Sequence, residues 1–243
     1  LKKAEIESRP DWAQVGGDIL GPSPPGQFGR AVACNHDGTR IIVGGFPFNS
    51  NQGKVIVYDW NGTAWTMVGN VLTGPSGVNT YFGKTVAISG DGNIIAVPAP
   101  HESSNGSQSG TVRVYYLNGS TWTILPDSGD FTASAPATIT DAFVGSAANM
   151  LLGNGQPRLS YDGKTIAMAE YRYGATEVGR ALVYKYSNGA WSYKGDGATQ
   201  FVGDIANAHF GFGMAMSEDG DHLALGTIGA GHFVEVYKWN GAA

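Results

Sequence analysis

The chain has little of what several protein classes require. Its 243 residues include one cysteine, Cys34, so neither an internal disulfide framework nor a zinc site built from several cysteines can form. With 15 Lys and Arg against 20 Asp and Glu, the net charge is -5, which disfavours binding to a nucleic-acid backbone. No apolar run approaches the ~18 to 20 residues of a membrane span, so the sequence predicts no membrane insertion.

Glycine, in contrast, is abundant. The 37 glycines are about twice the usual share of ~7%, while charged residues are only 14% of the chain. Aromatic residues reach 11% and the mean hydropathy is -0.13, so there is enough apolar surface for a folded core. This combination indicates a compact protein with many turns.

A four-fold internal repeat organises the sequence. Each copy has a Phe-Gly or Leu-Gly pair, an apolar stretch, an Asp-Gly turn and two further apolar stretches. The pairs start at Phe28, Phe82, Leu152 and Phe210, and the turns start at Asp37, Asp91, Asp162 and Asp219. In the first three copies a Trp opens a fourth stretch. Short β-branched and aromatic runs between Gly, Asn and Asp turns are typical of antiparallel strands, so each copy predicts a four-stranded meander.

The two ends of the chain complement each other in this repeat. No Trp-led stretch follows Trp239, whereas residues 12–16 keep the Trp-x-x-x-Gly spacing of residues 65–69. Such sheets must pack face to face, and a closed ring leaves only short, protected strand edges. The sequence therefore predicts an all-β fold, a four-bladed β-propeller of four-stranded antiparallel blades, closed by the N-terminal strand joining the C-terminal blade.

The expected boundaries follow from the repeat. We predict a tail at residues 1–10 and one propeller domain at residues 11–243. Blade 1 spans about 28–74, blade 2 about 82–131, blade 3 about 152–204, and blade 4 about 210–243 plus 11–20. Cys34 shares its repeat position with Ile88 and Met216, which predicts a buried side chain. The longest insertion, residues 126–153, is expected between the fourth strand of blade 2 and the first strand of blade 3.

The Phe-Gly pairs at 28, 82 and 210, with Val-Gly-Gly-Phe-Pro at 43–47, resemble the FG-GAP repeats of integrin-type β-propellers. Similar repeats occur in secreted and cell-surface microbial and algal proteins, and the resemblance covers the chain from about residue 11. It implies a recognition or adhesion module that is secreted, at the cell surface or in an organelle lumen. It specifies the fold better than the function.

Members of that family often hold calcium in a loop of the form D-x-D-x-D-G-x-x-D. Each Asp-Gly turn of this chain has too few carboxylates for that loop, so we interpret all four as hairpin turns and predict no cofactor or metal. Glu218, Asp219 and Asp221 are the one alternative place for a cation.

Ligand-binding residues are expected on the face that carries the connections between the second and third strands and those between blades. The candidates are Phe46, Phe48, Tyr81, His101, Glu102, Tyr171, Arg172, Tyr173, His209 and His232. No G-x-S-x-G, H-E-x-x-H or P-loop motif is present, so no catalytic residue is assigned.

Three functions stay open on the sequence. The first is a non-enzymatic module that binds a protein or carbohydrate partner, or a place in a larger assembly. The second is a small hydrolase or lyase at the channel mouth, for instance through His101 with Glu177. The third is a lectin in which Phe46, Phe48 and Tyr81 stack on sugars. Asn61, Asn105 and Asn118 start glycosylation sequons, although for Asn61 and Asn118 the Asn-Gly pair favours a hairpin turn.

Overall fold

The computed structural model describes residues 12–22, 27–45, 52–75, 79–125, 142–195, 197 and 201–241. It confirms the all-β class and the four-bladed β-propeller, with four antiparallel sheets that follow one another along the chain. Across these ranges there is no helix that could span a membrane.

Blade 1 consists of β1 (Ala31–Cys34), β2 (Arg40–Gly45), β3 (Lys54–Trp60), β4 (Trp65–Met67) and β5 (Leu72–Thr73). Blade 2 consists of β6 (Ala87–Ile88), β7 (Ile94–Ala99), β8 (Thr111–Asn118), β9 (Thr121–Ile124) and β10 (Phe143–Val144). Blade 3 consists of β11 (Arg158–Leu159), β12 (Thr165–Glu170), β13 (Arg180–Ser187), β14 (Ala190–Tyr193) and β15 (Phe201–Val202). Blade 4 consists of β16 (Gly213–Met216), β17 (His222–Gly226) and β18 (Val234–Lys238).

The fourth strand of each complete blade is broken into two short pieces. In blade 1, β4 pairs with the end of β3 and β5 pairs with its start, and blades 2 and 3 repeat this arrangement. In blade 2 the break falls between Ile124 and Phe143, so the blade extends to Val144, past the predicted end near 131. The insertion therefore falls between the two pieces of the outer strand of blade 2 in the chain order. Its residues 126–141 lie outside the described residues.

The hydrophobic core is divided into three clusters, each between two neighbouring blades. Phe82 and Ile95 pack against Val55 between blades 1 and 2, and Met168 packs in the cluster between blades 2 and 3. The third cluster, around Phe210, joins blades 3 and 4. Small alanines on the inner strands and aromatic side chains on the outer ones fill the diverging space between blades at native density.

A tryptophan of the fourth strand closes the outer part of an interblade wedge. Trp122 is 3% exposed, and its indole Nε1 donates to the carbonyl of Val68 at 3.0 Å. It lies so close to Gly69 that a Cβ at this position would be 2.4 Å from the indole. Trp65 Nε1 donates to the Val15 carbonyl at 2.9 Å in the same way. Val15 thus accepts from Trp65 as Val68 accepts from Trp122. The N-terminal segment therefore packs against blade 1 in the same way as the end of the fourth strand of blade 1 packs against blade 2.

In the part of the chain that the structure describes, the predicted closing strand is not formed. Among the described residues β18 pairs with β17 alone, and Trp12 is 77% exposed. The contacts of residues 12–16 are with Trp60 and Trp65 of blade 1, and these hold the segment there instead of at β18. Where a fourth-strand tryptophan would pack between blades 3 and 4, a cleft of about 250 Å³ lies beside Gly195 and Tyr237.

A second opening, between blades 4 and 1, corrects the prediction for Cys34. Ala31 and Ala33 of β1 pack against the core cluster between blades 1 and 2, whereas Val32 and Cys34 alternate with them and are exposed. Blade 4 does not cover this face of β1. The expected burial of Cys34 is therefore wrong, and its burial would need a closed fourth interface.

The four Asp-Gly turns nevertheless meet around the axis, on what we call the turn face. The amide of His36 donates to the carbonyl of Gly90, that of Asp91 to Tyr161, and that of Tyr161 to Glu218. His36 Nδ1 lies 2.5 Å from Glu218 Oε1, which completes the circle between blades 4 and 1. The four blades are thus linked in a ring next to the axis. Farther out, the interface between blades 4 and 1, which we call the seam, is open.

Each turn aspartate uses its carboxylate within its own turn. The amides of Thr39, Asn93, Lys164 and Asp221 donate to the aspartate two residues earlier. This is the hydrogen bonding of an Asx turn and confirms the hairpin interpretation. Glu218 pairs with His36, and Asp221 pairs with Lys194 at 2.6 Å, so the alternative cation ligands face different partners.

Candidate functional site

The opposite side of the wheel, which we call the loop face, carries the connections β2–β3, β7–β8, β12–β13 and β17–β18 and the segments that lead into the Phe-Gly and Leu-Gly pairs. Three repeat-equivalent residues there, Tyr81, Leu151 and His209, have positive φ angles of 54°, 53° and 52°. A non-glycine residue in this region costs free energy, of order 1–3 kcal/mol, and persists only where its surroundings enforce it. The loop face is therefore built on a repeated, tightly determined turn.

The residue that follows each pair has the same repeat position in every blade. These residues are Arg30, Lys84, Asn154 and Phe212 in blades 1 to 4. Lys84 Nζ donates to Asn154 Oδ1 at 2.5 Å, which links blade 2 to blade 3. Burial, and secondly the charge of Arg30, lower the pKa of Lys84.

His101 and Arg172 also occupy equivalent positions in blades 2 and 3. Each comes three residues after a carbonyl, of Pro98 or Ala169, that accepts a hydrogen bond from the glycine of the pair. The His101 ring meets the Tyr81 ring edge-on, with centroids 4.3 Å apart. Burial, followed by the charges of Lys84 and Arg172, lowers the pKa of His101.

Arg172 has an unsatisfied donor. Its Nε is buried and has no hydrogen-bond partner among the described residues, and the nearest carboxylate oxygen, Glu177 Oε2, is 3.8 Å away. The guanidinium lies 5.6 Å from the centre of the Tyr171 ring. A buried donor without an acceptor costs about 1–3 kcal/mol.

Glu177 does not form the dyad considered with His101. Its Oε2 lies 3.7 Å from His209 Nδ1, and that nitrogen is 3.1 Å from the Tyr171 carbonyl. The Tyr171 ring packs against Phe212 with centroids 5.4 Å apart. Glu177 therefore belongs to one group of neighbouring residues with Tyr171, Arg172 and His209.

Two other predicted site residues stabilise the loops. Glu102 accepts hydrogen bonds from Arg113 at 2.6 and 2.8 Å and from Thr111 at 2.8 Å. Burial raises the pKa of Glu102, but the hydrogen bonds and charge of Arg113 outweigh it, so the pKa is lowered overall. The Arg180 guanidinium lies over the Tyr173 ring, 3.9 Å from the centre of that ring.

The ion pair of Glu102 predicts a pH dependence of folding stability. Because its folded-state pKa is below the usual 4.5, the pair contributes fully above that value and is lost as the pH falls through the folded pKa. We expect Glu102→Gln to lower the free energy of unfolding at pH 6 by much more than at pH 3. Urea titrations at the two pH values measure this, and an equal difference at both would contradict it.

The remaining candidates are placed as follows. Phe46 and Phe48 lie outside the described residues, and His232 is exposed in the β17–β18 connection of blade 4. Sequence reasoning missed Arg30 and Lys84. The signal that identifies them is their common repeat position directly after the Phe-Gly pair.

The three sequons differ in structure. Asn61 Oδ1 accepts hydrogen bonds from the amides of Thr63 and Ala64, and Asn118 ends β8 opposite Thr121, which confirms the hairpin turns. Asn105 Nδ2 instead donates to the carbonyls of Gly145 and Ser146, each at 3.0 Å. Its amide is thus engaged in holding the β7–β8 connection to the segment after β10.

No protein-family model matches the chain, and no curated protein matches its sequence. Among solved structures it is similar to Sqt1 from Chaetomium thermophilum, with TM-score 0.48 and 15% identity over 89% of this chain and 44% of that one. A putative 6-phosphogluconolactonase from Bacteroides uniformis has TM-score 0.40 and 13% identity, over 88% and 68% of the two chains. A prolyl endopeptidase has TM-score 0.41 and 15% identity over 80% of this chain, which spans 24% of that protein.

Proposed function

We propose that the protein is a non-enzymatic binding module that recognises a protein or glycan partner through its loop face. The observation that carries this proposal is the buried Nε of Arg172, which has no hydrogen-bond partner among the described residues and whose guanidinium lies beside the Tyr171 ring. Binding sites are typically concave, aromatic and supplied with a few fixed polar groups. The resemblance to FG-GAP propellers supports a secreted, cell-surface or lumenal location and a role in adhesion or in a larger assembly.

A hydrolase or lyase is the alternative, and the 3.7 Å separation of His209 from Glu177 is the observation that favours it. A general base must lie within hydrogen-bonding reach of the proton that it removes. The His209 Nδ1 faces the carbonyl of Tyr171, and Glu177 also faces Arg172, so this carboxylate is shared with a cation. Both features suit the packing of a loop better than proton transfer.

One set of variants separates these functions. We expect a glycan array and a panel of acidic and basic peptides to reveal a ligand whose binding is lost in Arg172→Gln. Lys164→Gln, an exposed cation on the turn face, should leave that binding unchanged. Generic glycoside, ester and phosphoester substrates should show no turnover. Turnover abolished by His209→Asn would overturn the proposal in favour of the enzyme.

A further inference from the structure

We propose that the cleft between blades 3 and 4 is an interface with a second copy of this chain, whose exposed Trp12 side chain it receives. The proposal goes beyond the binding function assigned above, because it concerns the outer edge of blade 4 and not the loop face. Both halves of the contact, an empty cleft and an exposed tryptophan, are present in one chain.

The cleft lies where an indole is packed in the two other described interfaces. Trp122 is buried in the cluster between blades 1 and 2, and Trp191 is buried in the cluster between blades 2 and 3. The corresponding place between blades 3 and 4 is the cleft of about 250 Å³ beside Gly195. Its apolar wall consists of Val183, Phe201, Met216, Leu223 and Tyr237. An apolar cavity of this kind binds an apolar group of matching size.

A hydrogen-bond acceptor for an indole is in place at the cleft. Lys194 lines the cleft and has the repeat position of Val68, since their amides donate to the equivalent carbonyls of Val183 and Val57. The Val68 carbonyl accepts a hydrogen bond from the Trp122 indole at 3.0 Å. By its repeat position, the Lys194 carbonyl would accept from an indole in the cleft. An aliphatic side chain has no donor for this carbonyl, so the cleft favours tryptophan.

An aromatic partner is in place as well. In blade 1 the Trp60 ring packs against the Trp65 ring with centroids 5.5 Å apart. In blade 3 the Tyr186 ring packs against the Trp191 ring with centroids 5.1 Å apart. Trp239 has the same repeat position in blade 4 and lines the cleft. An indole that enters the cleft therefore meets a ring that has no fourth-strand partner in the described part of the chain.

The free edge of β18 lies beside the cleft. In blades 1 to 3 the third strand pairs with a fourth strand, whereas β18 pairs with β17 alone among the described residues. An unpaired edge offers backbone donors and acceptors to an added strand. Tyr237 packs against Phe201 of blade 3, so Val234 and Val236 point to the opposite side, toward the seam. Like Val32 of β1, both valines are exposed, and such an apolar surface is typical of a contact with another molecule.

The chain carries the segment that fits this cleft and edge. Residues 12–16, which we call the arm, have the Trp-x-x-x-Gly spacing of a fourth strand and contain no charged residue. Trp65 holds Val15 of the arm on blade 1, so Trp12 reaches at most about 10 Å from that point. In its own molecule the seam is open and Trp12 stays exposed. A second copy, with its seam turned toward the first, can bring an empty cleft within reach of the arm.

The arm and the cleft flank the same seam, which makes this surface complementary to itself. Two copies related by a two-fold axis can each insert Trp12 into the other, and such an isologous contact closes at two molecules. The contact covers the indoles and the exposed valines of both seams. It also supplies each β18 with a neighbouring strand. We therefore expect a dimer rather than an open chain of copies.

The test is sedimentation equilibrium of the full chain over a range of concentrations. We expect a reversible dimer that added salt does not weaken, because the arm is uncharged and each copy has a net charge of -5. Trp12→Ala should weaken dimerisation by at least about a hundredfold, since each dimer buries two such indoles. Tyr161→Ala, which removes an exposed aromatic side chain on the turn face, is the matched control. At a dilution where the chain is monomeric, Trp12→Ala should leave thermal unfolding unchanged.

A mixture of two variants tests the exchange between copies directly. Trp239→Ala damages the cleft and should weaken dimerisation by about tenfold or more, but it keeps Trp12. Trp12→Ala keeps the cleft intact. The mixture therefore regains one complete contact and should associate more strongly than Trp12→Ala alone.

Three results would overturn the proposal. A chain that is monomeric at every concentration would mean that no second copy occupies the cleft. A dimer unaffected by Trp12→Ala would have its interface elsewhere. A mixture that associates no better than Trp12→Ala alone would mean that Trp12 does not enter the cleft of another copy. None of these results affects the function proposed for the loop face, which is tested by ligand binding.

Discussion

Replacement of Trp122 by alanine is expected to lower the free energy of unfolding by about 3–5 kcal/mol. The indole is 3% exposed, fills the wedge between blades 1 and 2, and donates to the Val68 carbonyl. Alanine would leave a cavity against Gly69, which has no side chain to refill it. The loss also leaves the Val68 carbonyl without its partner. Chemical denaturation followed by circular dichroism measures the change.

Trp12→Ala is the matched control, because Trp12 has the same place in the repeat but is 77% exposed. Substitutions at such surface positions usually change stability by within ~0.5 kcal/mol. A loss for Trp12→Ala as large as that for Trp122→Ala would show that residues 12–16 complete blade 4 in solution. That result would contradict the open seam described above.

The fold was predictable because the repeat encodes local geometry at every copy. The Asp-Gly turns, the apolar stretches and the Trp-x-x-x-Gly spacing each determine a contact that recurs, and Val15 does accept a hydrogen bond from Trp65 as its repeat position implies. The state of the seam was not predictable. Pairing of residues 12–16 with β18 depends on how blades 4 and 1 meet, and no pattern within one copy carries that information.

The candidate site shows the same limit. Repeat position identifies residues that share a face, which is why Tyr81, His101, Tyr171, Arg172 and His209 were expected on the loop face. It does not report which side chains satisfy one another. Glu102 and Tyr173 are engaged by Arg113 and Arg180. These partners come from the third strands of the blades, and a sequence alone does not show that their long side chains reach the loop face.

The second large effect is expected for Glu170, a carboxylate that is completely buried beneath the loop face. It accepts hydrogen bonds from Arg180 Nε at 2.7 Å, from the Ser146 amide at 2.5 Å and from the Ser146 hydroxyl at 3.0 Å. The pair thereby anchors the segment after β10 of blade 2 to blade 3. Glu170→Gln keeps the shape but leaves the buried Arg180 charge without its counterion. We expect a loss of about 3–5 kcal/mol in the free energy of unfolding.

A double-mutant cycle distinguishes the ion pair from simple packing. Removal of both charges, in Glu170→Gln with Arg180→Met, should recover much of the stability lost in Glu170→Gln, because no uncompensated charge then stays buried. Hydrogen exchange at the Ser146 amide should accelerate in Glu170→Gln, since this amide donates to the carboxylate. Additive losses in the double variant, with unchanged exchange at Ser146, would mean that the anchor contributes shape alone. The link between blades 2 and 3 would then depend on their shared hydrophobic cluster.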